Sequence, residues 1–219
     1  MRTLLLSVTV LALGLGGAFF AISPGAKAQS RAAAATIITG NVGTAGNPDG
    51  YTISLSRTTV PPGTYQFNIT DYSSIHNFDL CKGSSCTGSN SLHKTSVAGD
   101  GSVSWTVTLA AGPYTFQCDE HVSNMKRLLK VAPTVQITSV VPKRSIVTVN
   151  AKASYSTKFT AWLLKGTTKL ATTTTSVNAT TASLKLKPAT ALKPGYYYVR
   201  VQVGCCGAFT VVQKKIQVM

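Results

Sequence analysis

Short runs of alternating apolar and polar residues, separated by turns that contain Gly and Pro, recur along most of the chain. Residues 51–55, 64–69 and 114–118 are examples in the first half, and residues 196–203 are an example in the second. This period of two predicts β-strands, and no helical apolar stripe competes with it. Glu120 is the only glutamate, whereas Thr, Val and Ser are abundant, which also favours strands and turns. We therefore expect an all-β protein.

The first residues have the pattern of an export signal. A short basic start precedes an apolar stretch over residues 4–20, and the small-x-small sequence at residues 26–28 fits a cleavage site. We expect a signal peptide at residues 1–28 and a secreted or extracytoplasmic mature protein, in the periplasm or at the cell surface. The alternative is an uncleaved anchor, but the apolar stretch is short for a bilayer span. Residues 29–50, rich in Ala, Gly and Asn, are expected to be a flexible leading segment.

Charge divides the rest of the chain in two. Residues 134–219 contain twelve Lys and Arg and no Asp or Glu, whereas all six acidic residues lie before residue 133. This step predicts a domain boundary near residue 133. We expect one β-sandwich at residues 51–133 and a second, basic one at residues 134–219. The basic domain is expected to dock on an anionic cell-wall polymer or membrane surface. Nucleic acid is a less favoured partner, because no basic stacking platform is evident.

The five cysteines divide into two close pairs and one single residue. Cys81 and Cys86 can close a short loop, and an oxidising compartment favours such a disulfide. Cys205 and Cys206 are adjacent, and a vicinal disulfide is preferred over two thiols or a link between chains. Cys118 remains as the odd cysteine, which calls for another explanation such as a metal.

A set of potential metal ligands surrounds that odd cysteine. Cys118 ends a predicted strand, His121 follows three residues later, Met125 follows four after that, and His76 lies upstream. A thiolate, two imidazoles and a weak thioether favour one copper ion in a type 1 site. Zinc is the competing metal, because it also accepts Cys and His. His93 is a fourth nitrogen ligand or, as we prefer, a solvated loop histidine.

This region resembles the cupredoxins, the plastocyanin- and azurin-like blue copper proteins, over about residues 51–131. The matching segments are His76-Asn77-Phe78, residues 105–109, residues 114–119, His121 and Met125-Lys126. The resemblance implies a Greek-key β-sandwich that holds one type 1 copper through His76, Cys118, His121 and Met125. It also implies one-electron transfer with a redox partner protein. Glu120 departs from the family pattern, because those relatives usually have Pro there. The second half is only weakly similar to bacterial immunoglobulin-like domains.

The sequence leaves two alternative functions open. One is a copper storage or delivery protein without redox turnover, and the other is a metal-free secreted wall-binding or adhesion protein. An enzyme is not expected, because outer-sphere electron transfer needs no substrate pocket. The scarcity of carboxylates also argues against a hydrolase that uses a carboxylate pair.

Overall fold

The computed structural model describes residues 35–219, and these residues form sixteen β-strands. The all-β class expected from the sequence is confirmed. The predicted signal peptide at residues 1–28 lies outside the described residues. Within the described part, no helix has the length and apolar character needed to cross a membrane.

The first nine strands form two sheets. One sheet has the order β2-β1-β4-β7 and the other the order β3-β9-β8-β5-β6. The strands are β1 Thr36–Val42, β2 Ile53–Leu55, β3 Thr59–Val60, β4 Gly63–Asp71, β5 Asp79–Lys82, β6 Ser91–Lys94, β7 Gly101–Leu109, β8 Gly112–Gln117 and β9 Lys126–Val131.

Alternation along the strands builds the core between these two sheets. Tyr65, Phe67 and Ile69 of β4 are buried, while the residues between them are partly exposed. They belong to one apolar cluster with residues of the second sheet, where Phe78 and Phe116 stack with ring centroids 5.6 Å apart. Each fully buried side chain of this size contributes roughly 1.5–3 kcal/mol, so this core fixes the sandwich.

The expectation of a flexible leading segment at residues 29–50 is wrong for the central part of that segment. Residues 36–42 form β1, which pairs in parallel with β4 and antiparallel with β2. Gly40 lies within β1, at a close approach to neighbouring side chains. A Cβ there would lie 2.7 Å from Leu55 Cδ2 and 2.8 Å from Ile69 Cδ1. Residues 29–34 of the segment lie outside the described part.

The last seven strands form a second pair of sheets, with the orders β10-β11-β14 and β13-β12-β15-β16. The core between these sheets includes Phe159, Leu163, Val199 and Val201. Residues 172–174, part of a run of four threonines, belong to β13, which is an edge strand of its sheet. The strands are β10 Val135–Pro142, β11 Val147–Thr157, β12 Phe159–Lys165, β13 Thr168–Thr174, β14 Ala179–Leu186, β15 Gly195–Cys205 and β16 Ala208–Val218.

The chain passes from one pair of sheets to the other between β9 and β10, where the domain boundary was predicted. The described residues nevertheless belong to one compact unit. Side chains join the two halves: the ring of Tyr155 lies over Gly112, 3.4 Å from where a Cβ would stand. The independence of residues 51–133 and 134–219 as domains therefore stays a prediction.

Candidate metal centre

The predicted ligands lie at one end of the five-stranded sheet. His76 precedes β5, Cys118 directly follows β8, and Met125 directly precedes β9. These three strands are neighbours in the sheet, and their register aligns Asp79, Gln117 and Lys126 in one row. The sheet therefore brings residues that are far apart in the sequence to the same edge.

Three ligand side chains converge there. Cys118 Sγ lies 3.8 Å from His76 Nδ1 and 3.6 Å from His121 Nδ1, and the two Nδ1 atoms are 2.9 Å apart. Cys118 and His76 are fully buried, and His121 is half-buried. Among the described residues, Cys118 is the one free cysteine. A buried thiol thus faces two ring nitrogens, with one imidazole reaching toward solvent.

The turn between Cys118 and Met125 is held by its own backbone. The Cys118 amide donates to the Met125 carbonyl at 2.9 Å, and the Met125 amide donates to the His121 carbonyl at 2.8 Å. Met125 is fully buried in the same apolar cluster as Cys118. These bonds place the methionine backbone next to the three converging side chains.

The side chain of Asn77 ties the segment between β4 and β5 to this turn. Its Nδ2 donates to Asp119 Oδ2 at 3.0 Å, and its Oδ1 accepts from the Asp119 amide at 2.8 Å. Asp119 also makes the one ion pair found within residues 35–219, with Lys94 at 3.7 Å. The segments that carry His76 and Cys118 are therefore clamped together directly beside the site.

A second network orients the His76 ring. His76 Nε2 lies 3.2 Å from the carbonyl oxygen of Asp49, to which it donates. The Ser73 hydroxyl donates to Asp49 Oδ1 at 3.1 Å and accepts from the His76 amide at 3.2 Å. With its proton on Nε2, the His76 ring presents a lone pair on Nδ1 toward His121 Nδ1 and Cys118 Sγ. Outer bonds of this kind fix the tautomer and ring orientation of metal-binding histidines.

Tyr51 covers the open side of the site. Its ring centroid lies 5.3 Å from that of His76 and 5.0 Å from that of His121, yet the residue is 54% exposed. Sequence reasoning missed Tyr51, Asp49, Ser73 and the clamping role of Asn77. No local spacing marks them, because the contacts of the first two span 24 residues or more.

Buried carboxylates lie behind the site. Burial raises the pKa of Asp71 above its ordinary 3.8, although hydrogen bonds from the Thr95 hydroxyl and the Ser73 amide lower it in part. Burial likewise raises the pKa of Asp79, opposed by a hydrogen bond from Ser91 and supported by the charge of Asp119. The Asp71 carboxylate accepts hydrogen bonds from the Thr95 hydroxyl and the Ser73 amide. The Asp79 carboxylate accepts one from the Ser91 hydroxyl.

The other predicted site residues lie elsewhere. Cys81 and Cys86 form a disulfide, as do Cys205 and Cys206. Asp79 lies close to Cys81 and Cys86, but both sulfur atoms are occupied by the disulfide.

The expectation of a loop position for His93 is wrong. His93 belongs to β6, and its half-buried ring stacks on Trp105 with centroids 5.2 Å apart. The structure does not support His93 as a fourth nitrogen ligand either, because the side chains that converge are those of His76, Cys118 and His121. The ring packs against the edge strand β7 and contributes an aromatic contact there.

The three donor atoms fit a single metal ion. Bonds of about 2.0 Å to nitrogen and about 2.3 Å to sulfur require donor atoms roughly 3–4 Å apart. The separations of 2.9, 3.6 and 3.8 Å fall in or next to this range. All three atoms lie within 4.8 Å of one another.

Comparison with known proteins assigns the chain to no family. No protein-family model matches it, and no curated protein does. A DUF3823 family protein from Parabacteroides merdae is 10% identical over 84% of this chain and 98% of that chain, with a TM-score of 0.32. The human OSCAR ligand-binding domain is 14% identical over 74% and 91%, with a TM-score of 0.27. A multicopper oxidase is 9% identical over 84% and 88%, with a TM-score of 0.24.

These comparisons correct the resemblance to the cupredoxins. Membership of that family is not supported, because no protein-family model and no curated protein match the chain. The physical reason is that the resemblance rested on a few short segments, and such segments fix a local loop rather than a whole fold. The site is therefore judged on its own donor atoms.

Proposed function

We propose that the protein is a mononuclear copper protein that carries single electrons, with His76, Cys118 and His121 as strong ligands and Met125 as a weak one. The observation that carries the proposal is the convergence of one buried free sulfur with two imidazole Nδ1 atoms, all within 4.8 Å. The proposed role is that of a carrier and not of an enzyme. It is argued from this chain's donor atoms and not from family membership.

The donor set favours copper over zinc. A soft thiolate, two imidazoles and a buried thioether suit both copper oxidation states, whereas structural zinc takes four strong N or S ligands. When bound in such a set, copper takes up or releases one electron at a time. The thioether of Met125 is the donor that distinguishes the two metals here.

The chain supports this role by holding its ligands before any metal arrives. The Asp49 carbonyl orients the His76 ring, and the Asn77 amide clamps the turn that carries Cys118. Backbone bonds within residues 118–125 keep His121 and Met125 in register. A frame that is already ordered moves little when charge changes, which lowers the reorganisation that accompanies electron transfer.

An encounter with a redox partner protein is proposed at the half-buried edge of His121. Exposed apolar side chains of Tyr51, Ile75 and Val122 lie on the segments around that edge. Such a surface allows a partner to approach without displacing a charged group. His121 is the ligand through which the electron would leave, because His76 and Cys118 are fully buried.

Export and docking belong to the same proposal. The mature protein is proposed to act outside the cytoplasm, and the basic residues 134–219 are proposed to dock on an anionic polymer or surface. The finer fold description is proposed as well: a Greek-key sandwich followed by an immunoglobulin-like sandwich of seven strands. The strand orders β3-β9-β8-β5-β6 and β13-β12-β15-β16 support it.

The test is an absorption spectrum and metal analysis of the full-length protein supplied with copper. We expect one copper per chain and an intense thiolate-to-copper band that is lost in Cys118→Ser and in His121→Gln. His93→Gln is the matched control and should keep the band, because His93 lies outside the site. A coloured Cys118→Ser protein, or zinc bound in preference to copper, would refute the proposal.

Redox cycling separates the carrier from copper storage. A carrier should be reduced and reoxidised repeatedly at constant copper content, because its ligands suit both states. Loss of copper upon reduction would favour storage or delivery instead. Failure of the purified protein to retain any copper would favour a metal-free wall-binding protein.

A further inference from the structure

The outer surface of the sheet β13-β12-β15-β16 carries an ordered set of side chains that the copper site does not use. In β15, residues 197, 199, 201 and 203 are buried in the core, so the residues between them point outward. The register aligns Gln202 with Thr160 and Val211, and Arg200 with Trp162 and Gln213. We call this surface the outer face, defined by residues 160, 162, 172, 174, 196–204 (even numbers) and 209–217 (odd numbers).

One end of the outer face holds an aromatic ring in a fixed position. Phe209 is 65% exposed, although most large apolar side chains of this half are buried. Its ring lies over the backbone of Gly204, where a Cβ would stand 2.7 Å from Phe209 Cε1. The glycine therefore provides space for the ring against β15, and the rest of the ring is open to solvent. An exposed ring that is supported on one side can serve as a stacking platform.

A cleft of about 500 Å³ adjoins this ring. Its walls include Thr160, Gln202, Lys158 and the Cys205–Cys206 disulfide. The cleft therefore combines an apolar floor with hydroxyl, amide and ammonium groups. Such a mixture suits a ligand whose rings have both an apolar face and hydroxyl groups.

Further polar and aromatic groups continue along the strands from the cleft. Arg200 donates through Nε and Nη2 to Gln213 Oε1 at 3.2 and 3.0 Å, which holds its guanidinium beside Trp162. Farther on, Lys215 Nζ lies 4.1 Å from the centre of the Tyr196 ring. From residue 204 to residue 196 the face extends for about 27 Å, at about 3.4 Å per residue.

The charge of this half restricts the ligand to neutral or anionic molecules. All twelve Lys and Arg of residues 134–219 are exposed, and no Asp or Glu accompanies them. They are Lys143, Arg144, Lys152, Lys158, Lys165, Lys169, Lys185, Lys187, Lys193, Arg200, Lys214 and Lys215. An anionic polymer would be attracted from a distance and then ordered by the outer face.

We propose that the outer face and the adjoining cleft bind an acidic polysaccharide, with sugar rings stacked on Phe209 and carboxylates paired with Arg200 on the face and with Lys158 in the cleft. Neutral hydroxyl and amide side chains outnumber the cations on this face, which matches a polymer rich in hydroxyls. A nucleic acid, with a phosphate on every unit, fits this composition less well, and the Tyr196 ring is already engaged by Lys215. This inference rests on the proposed docking role of residues 134–219 and specifies its ligand and its surface.

The test measures binding of polygalacturonate to the full-length protein by calorimetry at low salt. We expect Phe209→Ala and Arg200→Gln each to weaken binding by about tenfold, as loss of a stacking contact or a charge pair predicts. Lys152→Gln is the matched control for Arg200→Gln: it removes the same charge from β11, in the other sheet, and should change affinity less than twofold. Gly204→Ala should act like Phe209→Ala, because the new Cβ displaces the ring.

Several outcomes would overturn the inference. Equal losses in Arg200→Gln and Lys152→Gln, with none in Phe209→Ala, would mean that only diffuse charge binds the polymer. Tighter binding of single-stranded DNA than of polygalacturonate through Phe209 would assign the face to nucleic acid. Equal affinity for a neutral glucan would remove the role of the carboxylates. The copper spectrum is independent of these measurements, so failure here and failure of the copper proposal can be told apart.

Discussion

Replacement of Asn77 by Ala tests whether the ligand frame is held by the protein rather than by a metal. Asn77 is 1% exposed, and its side chain makes two hydrogen bonds to Asp119, at 3.0 and 2.8 Å. A hydrogen bond to a carboxylate contributes about 1.5–3 kcal/mol, and one between neutral groups about 0.5–1.5 kcal/mol. The Asn77→Ala variant should therefore lose about 2–4 kcal/mol of unfolding free energy.

Asn68 provides a matched control for this measurement. Its Oδ1 also accepts two hydrogen bonds, from Gln66 Nε2 at 3.1 Å and from Ser104 Oγ at 2.9 Å, but on a solvent-facing surface. Because water replaces such bonds, Asn68→Ala should cost about 0.5 kcal/mol or less. The assay is denaturant unfolding of the metal-free protein, followed by copper titration of each variant.

The copper titration adds a second readout to the unfolding data. Outer residues that orient ligands typically change metal affinity by about 10–100-fold, so Asn77→Ala should weaken copper binding within that range. Asn68→Ala should leave the affinity unchanged. Equal stability losses in the two variants, or an unchanged affinity in Asn77→Ala, would refute the idea of a frame built by the protein.

Three further predictions concern stability, pH and the weak ligand. Gly40→Ala should cost about 1–3 kcal/mol in denaturant unfolding because its Cβ meets Leu55 and Ile69, whereas Gly46→Ala, with open space around it, should cost little. Burial raises the pKa of Asp71, so the folded state binds the proton more tightly. The unfolding free energy should fall as pH rises from 3.8 through the raised value. Asp71→Asn should reduce that slope, and the part that remains is expected from Asp79, whose pKa burial also raises; an unchanged slope in Asp71→Asn contradicts this. Met125→Gln should shift the reduction potential in voltammetry while copper is retained; copper loss as severe as in Cys118→Ser would contradict a weak axial role.

The strands of the second half were predictable because their alternation is uninterrupted. The pattern predicted a strand at residues 196–203, and β15 spans Gly195–Cys205. The first half was harder, because residues that normally mark turns lie inside its strands. Gly40 stands in a strand because it allows a close approach, and only the packed structure reveals the side chains that require it.

The residues of the candidate site also divide into those that the sequence predicted and those that it did not. Spacing alone brought Cys118, His121 and Met125 to one turn, because a short loop that leaves a strand must curl back to the next strand. The position of His76 could be inferred only from residue type, and its bond to the Asp49 carbonyl could not be inferred at all. Every residue has a backbone carbonyl, so the sequence does not show which carbonyl orients a ligand. The groups that orient a ligand are therefore the hardest to predict.

The two proposals make different physical demands on the two halves of the molecule. The copper proposal needs rigidity, and the structure places its ligands between hydrogen-bonded clamps from Asn77 and Asp49. The docking proposal needs charge, and the cations of residues 134–219 are exposed and free of acidic neighbours in their own half. An electron carrier with one half fixed to an anionic polymer would keep the half-buried edge of His121 available to a diffusing partner. The outer face lies on the second pair of sheets and the metal ligands on the first, so polymer binding should leave the copper spectrum unchanged.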